Sequence, residues 1–140
     1  MNAKEYLQQL EKREAIIVNK IDEMQHWMNI AQGITVQMGN ERVQATGNKQ
    51  RMESAVVEYV SLEQEYKEYI ADQKAEYNEI IETMQQLDID DYIFLHEVYV
   101  KKKSLSEVAD SFQKSYTWAT TQHGKALANL QKILDAREQK

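Results

Sequence analysis

Proline is absent from the whole chain, so no residue breaks a helix by locking φ or by removing a backbone N–H. Glycine is scarce too, and Glu, Gln, Lys, Ala and Tyr are abundant, a mixture that favours long uninterrupted helices. Two stretches carry the apolar spacing to match. Across Tyr6 to Ala31, Leu7, Leu10, Ile17, Ile21, Met24, Met28 and Ala31 follow alternating steps of three and four, with one break at Glu14. Such a seam packs one helix against another, and at 1.5 Å per residue the helix is about 45 Å long. Ile16, Val18, Trp27 and Ile30 widen the stripe, leaving room for more than one partner helix. A second series runs from Lys49 to about Gln86 through Met52, Ala55, Tyr59, Leu62, Tyr66, Tyr69, Tyr77, Ile80, Met84 and Leu87, weakened at Gln73 and Glu76. At roughly 55 Å this helix is long enough to fold back antiparallel along the first.

The expected result is a helical hairpin over 1–87, serving oligomerisation or partner binding. A lone two-helix hairpin buries little core, so it needs either a second copy, making a homodimer through the N-terminal helices, or the C-terminal part of its own chain. The stretch from Gly33 to Asn48 holds three of the four glycines and loses the helical period, which reads as the connection. Its polar groups read as those of a solvated loop that cap the next helix. The tyrosines of the second helix invite comparison with a base-stacking platform, but Tyr66 and Tyr69 lie on the seam among glutamates that repel phosphate. Core or interface is the better reading.

Hydrophobic residues make up 42% of the chain, far from a disordered profile. Cysteine is absent, which excludes disulfides and thiolate metal sites. No apolar run approaches the roughly 20 residues that span a bilayer, and no signal peptide is visible. The expectation is a cytoplasmic protein without a membrane partner. His26, His96 and His123 fall on three different predicted helices and never in ligand-spaced pairs. Phosphate-cradle and zinc-protease motifs are missing. Neither enzyme chemistry nor any cofactor or metal is therefore expected. The alternating aspartates of Leu87-Asp88-Ile89-Asp90-Asp91 lack the glycine and glutamate of a calcium loop and read as caps for the next helix.

The net charge of −6 is unevenly spread. Residues 1–87 hold 9 Lys+Arg and 15 Asp+Glu, while residues 88–140 hold 8 of each. The acidity belongs to the long helices, although a neutral balance is still low for a protein that binds phosphate backbones. The neutral part begins with a helix from Tyr92 to about Lys102, presenting Ile93, Phe94, Leu95 and Val98 to a core. Lys101, Lys102 and Lys103 close it, where cations suit the helix dipole. Leu105, Val108, Ala109 and Phe112 then mark one face of a short helix, with Ser104 and Glu107 spaced as a capping box. After Gln113-Lys114, Ser115 can cap a longer helix whose inner face carries Ala119, Gln122, His123, Ala126, Leu127, Leu130, Ile133 and Leu134. Two helices crossing over a short turn form a helix-turn-helix, whose second helix fits the DNA major groove. Trp118 either wedges into that core or faces a backbone. Gly124, costly inside a helix by about 1 kcal/mol, suggests close approach of a neighbouring helix.

Tyr99, the Lys101-Lys102-Lys103 run, the SLSEVA start at Ser104, Ser115 and the GKALANL tail from Gly124 together resemble region four of bacterial sigma factors. Glu41-Arg42-Val43-Gln44 with Gly47-Asn48, followed by a long helix and this module, narrows the likeness, which implies that Arg42, Gln44 and Asn48 bind a partner. The chain resembles small phage-encoded sigma-like regulators, the ArpU-type late regulators of phages infecting Gram-positive bacteria. The resemblance implies an all-α chain with a helix-turn-helix module over 88–140, binding double-stranded DNA sequence-specifically and activating transcription with host RNA polymerase. It places Tyr116, Thr117, Thr120 and Thr121 toward the groove, sets Lys101, Lys102 and Lys103 where a phosphate passes, and leaves Ser115, His123 and Lys125 as further contacts. His123 could equally be a buried histidine. Many sigma factors carry arginine and glutamate at the groove positions and this chain has neither, so no standard promoter preference follows. Two other readings stay open: a module docking on RNA polymerase without DNA, and a coiled-coil packaging factor like a small terminase subunit.

Overall fold

A computed structural model describes residues 2–40 and 46–139. The described residues form helices α1 (Ala3–Asn40), α2 (Thr46–Met84), α3 (Ile89–Leu95), α4 (Leu105–Ser111) and α5 (Tyr116–Glu138), with a π-helical stretch, His96–Val100, following α3. None of these helices is long and apolar enough to cross a membrane. The chain divides into two compact units, one made of Met1–Glu14 with Ala75–Lys140 and the other of Ala15–Lys74.

The first helix corrects the expectation of a long connection. It continues through Gly33 to Asn40, and α2 begins at Thr46. A single glycine costs only about 1 kcal/mol, and once a helix is nucleated each further residue adds a backbone hydrogen bond. Arg42 and Gln44 lie outside the described residues, as does the side chain of Asn48.

The larger unit surrounds one apolar core. Leu7 and Leu10 of α1, Met84 of α2, Phe94 and Leu95 of α3, Val108 of α4 and Leu130 of α5 are fully buried within it, and Ala109, Ala119 and Ala126 fill the closest approaches. At about 1.5–3 kcal/mol per large apolar side chain, Leu7 and Leu10 bind the start of the chain firmly to its far end. Polar groups do the same. The backbone N–H of Ala3 donates to Gln131 Oε1 at 2.7 Å, and the Tyr6 hydroxyl donates to Thr83 Oγ1 at 3.1 Å. Arg137 reaches both Thr83 Oγ1, at 3.0 Å, and Glu79, at 3.1 Å.

Three local expectations for this unit change. Ile93 is 39% exposed, leaving Phe94 and Leu95 to carry the α3 contribution. The helix expected from Tyr92 to Lys102 is α only as far as Leu95, after which Lys101 N–H bonds back to His96 O in the wider π spacing. The extra residue in that turn leaves each of Val98, Tyr99 and Val100 partly buried against the core. Asp88 occupies the cap position of α3 but makes no side-chain cap bond. Asp91 turns inward instead, where its two oxygens accept from Gln122 Nε2 at 2.7 Å and Asn129 Nδ2 at 2.8 Å.

In the smaller unit none of the side chains described is buried. Ile17, Met24 and Met28 on α1 and Leu62 and Tyr66 on α2 are half-buried, as two helices alone allow. Lys20 Nζ sits 5.7 Å from the Tyr66 ring centroid and 5.2 Å from that of Tyr69, and Tyr66 donates to Glu23 at 3.4 Å. The two tyrosine faces are thus occupied by a cation of the same chain.

Candidate nucleic-acid interface

The expected capping box forms: Ser104 Oγ accepts from Glu107 N–H at 3.2 Å, and the Glu107 carboxylate reaches back to Ser104 N–H at 3.4 Å. Helix α4 then closes with two bonds, Gln113 N–H to Asp110 O and Lys114 N–H to Ala109 O. This 5→2 and 6→1 pair is a Schellman motif, which requires a left-handed residue at the first position past the cap. That residue is Gln113, at φ 57°. One residue after Lys114, Ser115 Oγ accepts from Trp118 N–H at 3.1 Å and starts α5. Trp118 enters the core side of this turn, edge-on to Phe94 at 5.9 Å and beside Phe112 at 5.4 Å between ring centroids.

The residues assigned to the groove fall on the outer face of α5. Tyr116, Thr117, Thr120 and Thr121 are all exposed, as are Ser115 and Lys125. The Thr120 and Thr121 hydroxyls each donate to Thr117 O, at 2.8 and 3.1 Å, which leaves their oxygens free to accept. Gly124 shares this face, and a Cβ built on it meets nothing within 4 Å. The close helix approach expected there is absent from the described residues.

His123 and the lysine run sit elsewhere. His123 Nε2 hydrogen-bonds the Tyr99 hydroxyl at 2.9 Å, with the two rings stacked at 5.8 Å. Burial, and secondarily the positive charge of Lys4, lowers its pKa below the usual imidazole value, while burial raises that of Tyr99. A neutral, inward ring is poorly suited to hold a phosphate. Lys101 and Lys103 both pair with Glu97, the former at 2.9 Å, and Lys102 lies 3.5 Å from Glu14. Hydrogen bonds from Lys103 and then Lys101 hold the Glu97 carboxyl below its ordinary range. Glu97 is largely covered and Glu14 half-exposed, and the two glutamates cancel much of the charge that a phosphate would meet.

A signal of another kind lies in the sequence itself. From Ser111 to Leu134 there is no aspartate or glutamate, in a chain with 23 of them, and Asp110 and Asp135 stand at the two edges of the gap. Summing charge over 88–140 hides it, because the balancing acids are concentrated outside α5 and its preceding turn. No group of three or more metal-binding side chains occurs among the described residues. Set against family models, curated protein sequences and solved structures, the chain matches none of them.

Proposed function

We propose that the chain binds double-stranded DNA as a transcription regulator of the sigma-region-four-like, phage type, with α4, the Gln113 turn and α5 acting as a helix-turn-helix. The observation that carries this reading is the outer face of α5, which sets Tyr116, Thr117, Thr120 and Thr121 in a row free of carboxylates, directly after a capped turn. Threonine and tyrosine side chains offer hydroxyl contacts and methyl packing to base edges and backbone. Host RNA polymerase is the natural second partner for such a regulator. The long helices act as a hairpin that joins two chains, supported by the exposed Val18, Ile21, Trp27 and Ile30. Two-fold pairing would match half-sites about one helical turn apart, or a multiple of it.

The test is a protection assay on DNA from the protein's own genomic neighbourhood, followed by titration of the protected duplex at several salt concentrations. Thr117→Ala and Thr120→Ala should each relax preference at one or two base pairs, at a cost on the order of 1–3 kcal/mol. Variants that bind every duplex as the parent does would remove α5 from the reading role. One observation favours a second reading. The Lys101-Lys102-Lys103 run is held by Glu97 and Glu14, as suits a module that docks on polymerase without touching DNA. No duplex binding at low salt, with polymerase retained, would support that alternative.

A further inference from the structure

On the reading of α5 as a DNA-binding helix, we infer that the duplex backbone is held by Lys114 and by Lys125 beside a bare surface at Gly124, and not by the run Lys101-Lys102-Lys103. Three independent observations meet here. The first is charge. Lys114 and Lys125 are exposed, lie inside the stretch without carboxylates, and have no ion-pair partner among the described residues. The three lysines of the run all have one. The second is spacing. Lys114 precedes the cap of α5 and Lys125 lies ten residues into that helix, so the pair brackets roughly 15 Å of helix at 1.5 Å per residue. Phosphates line both rims of the major groove in which such a helix lies, so a cation at each end of that length can meet the backbone.

Gly124 supplies the third. A glycine inside a helix sacrifices stability relative to alanine, and none of the described residues comes within 4 Å of a Cβ built at Gly124. Packing among the described residues therefore offers no reason for the missing methyl. An approaching backbone does: Gly124 follows Thr120 by one turn and adjoins Lys125, so an added Cβ would stand between the helix and whatever the lysine grips. Lys132, two turns beyond Lys125 on the same exposed face, lies past the bracketed length and serves as an internal control.

The experiment compares full-length variants on one duplex across a salt series. The double variant Lys114→Gln/Lys125→Gln should flatten the plot of log affinity against log salt by about 0.9 for each phosphate no longer neutralised, for specific and random duplexes alike. Lys132→Gln and the triple variant of Lys101, Lys102 and Lys103 to Gln should leave the slope unchanged. Gly124→Ala should raise the melting temperature by a few degrees while weakening duplex binding several-fold. If the parent binds duplex and the Lys114/Lys125 variant keeps its slope, the inference fails while the DNA reading stands. A slope change on the Lys101–Lys103 variant, or on Lys132→Gln, would likewise overturn it. Gly124→Ala that melts higher and binds as before would show that no backbone comes close. A parent that binds no duplex at low salt ends both.

Discussion

Asp91 is the side chain that most changes how the C-terminal helices are held. In sequence it is one of three closely spaced aspartates and reads as a cap; in the structure it is buried and takes two amide donors from α5. Nothing local distinguishes it from Asp88 or Asp90, because its partners lie 31 and 38 residues away. Asp91→Ala would leave the Gln122 and Asn129 amides unpaired in a half-buried setting, a cost of about 1–3 kcal/mol readable by urea denaturation. His123 gives a second test. Its folded pKa is depressed by burial, so the folded state disfavours the proton that the unfolded imidazole accepts near its ordinary value of about 6.5. The resulting stability is present above that value and is lost as the pH falls toward the lower folded pKa. Denaturation midpoints should therefore decline below about pH 6.5, and His123→Gln should flatten that decline, leaving the Glu97 contribution at more acidic pH.

Helix ends separate what could be read in advance from what could not. Ser104 with Glu107, and Ser115, act through partners three residues away, so their spacing alone announced them. Ser115→Ala should cost about 1 kcal/mol, seen as a lower melting temperature. The π-helical turn was not legible, because it depends on how Val98, Tyr99 and Val100 meet α4 and α5. Nor was the continuation of α1 past Gly33, where cooperativity outweighs the fading apolar period. The turn between α4 and α5 sits between these cases: Gln113-Lys114 marked its place but not its geometry. Gln113 adopts φ 57°, a conformation that side-chain-bearing residues enter at a cost of roughly 1 kcal/mol or more. Gln113→Gly should therefore stabilise the protein by about that amount, detectable as a higher urea midpoint, with the Schellman bonds retained.

The expected division of the chain placed residues 1–87 in one part and 88–140 in the other, whereas the larger compact unit includes Met1–Glu14 and Ala75–Lys140. The apolar spacing picked out Leu7, Leu10, Ile80 and Met84, which are buried, but also Ile21 and Tyr69, which are exposed; heptad spacing cannot say which turns face a third or fourth helix. Leu10 decides the point: it is fully buried with Phe94, Val108 and Leu130 in the same cluster. Leu10→Ala should cost about 2–5 kcal/mol, and a fragment of residues 88–140 should melt without a cooperative transition. Trp27, 46% exposed, addresses the proposed dimer. Trp27→Glu should convert a sedimenting dimer to a monomer at unchanged helicity, and a parent that sediments as a monomer at micromolar concentrations would exclude the dimer. The bond from Ala3 to Gln131 has a consequence for how the protein is made. Leu7 and Leu10 leave the ribosome more than a hundred residues before α5, at about 5–20 residues per second. For several seconds the first turns of α1 must stay without their partners, their leucines open to chaperones or to another nascent chain. A polysome translating this message carries many copies of that unfinished surface, so a shortened product ending before α5 should accumulate as aggregate or be degraded.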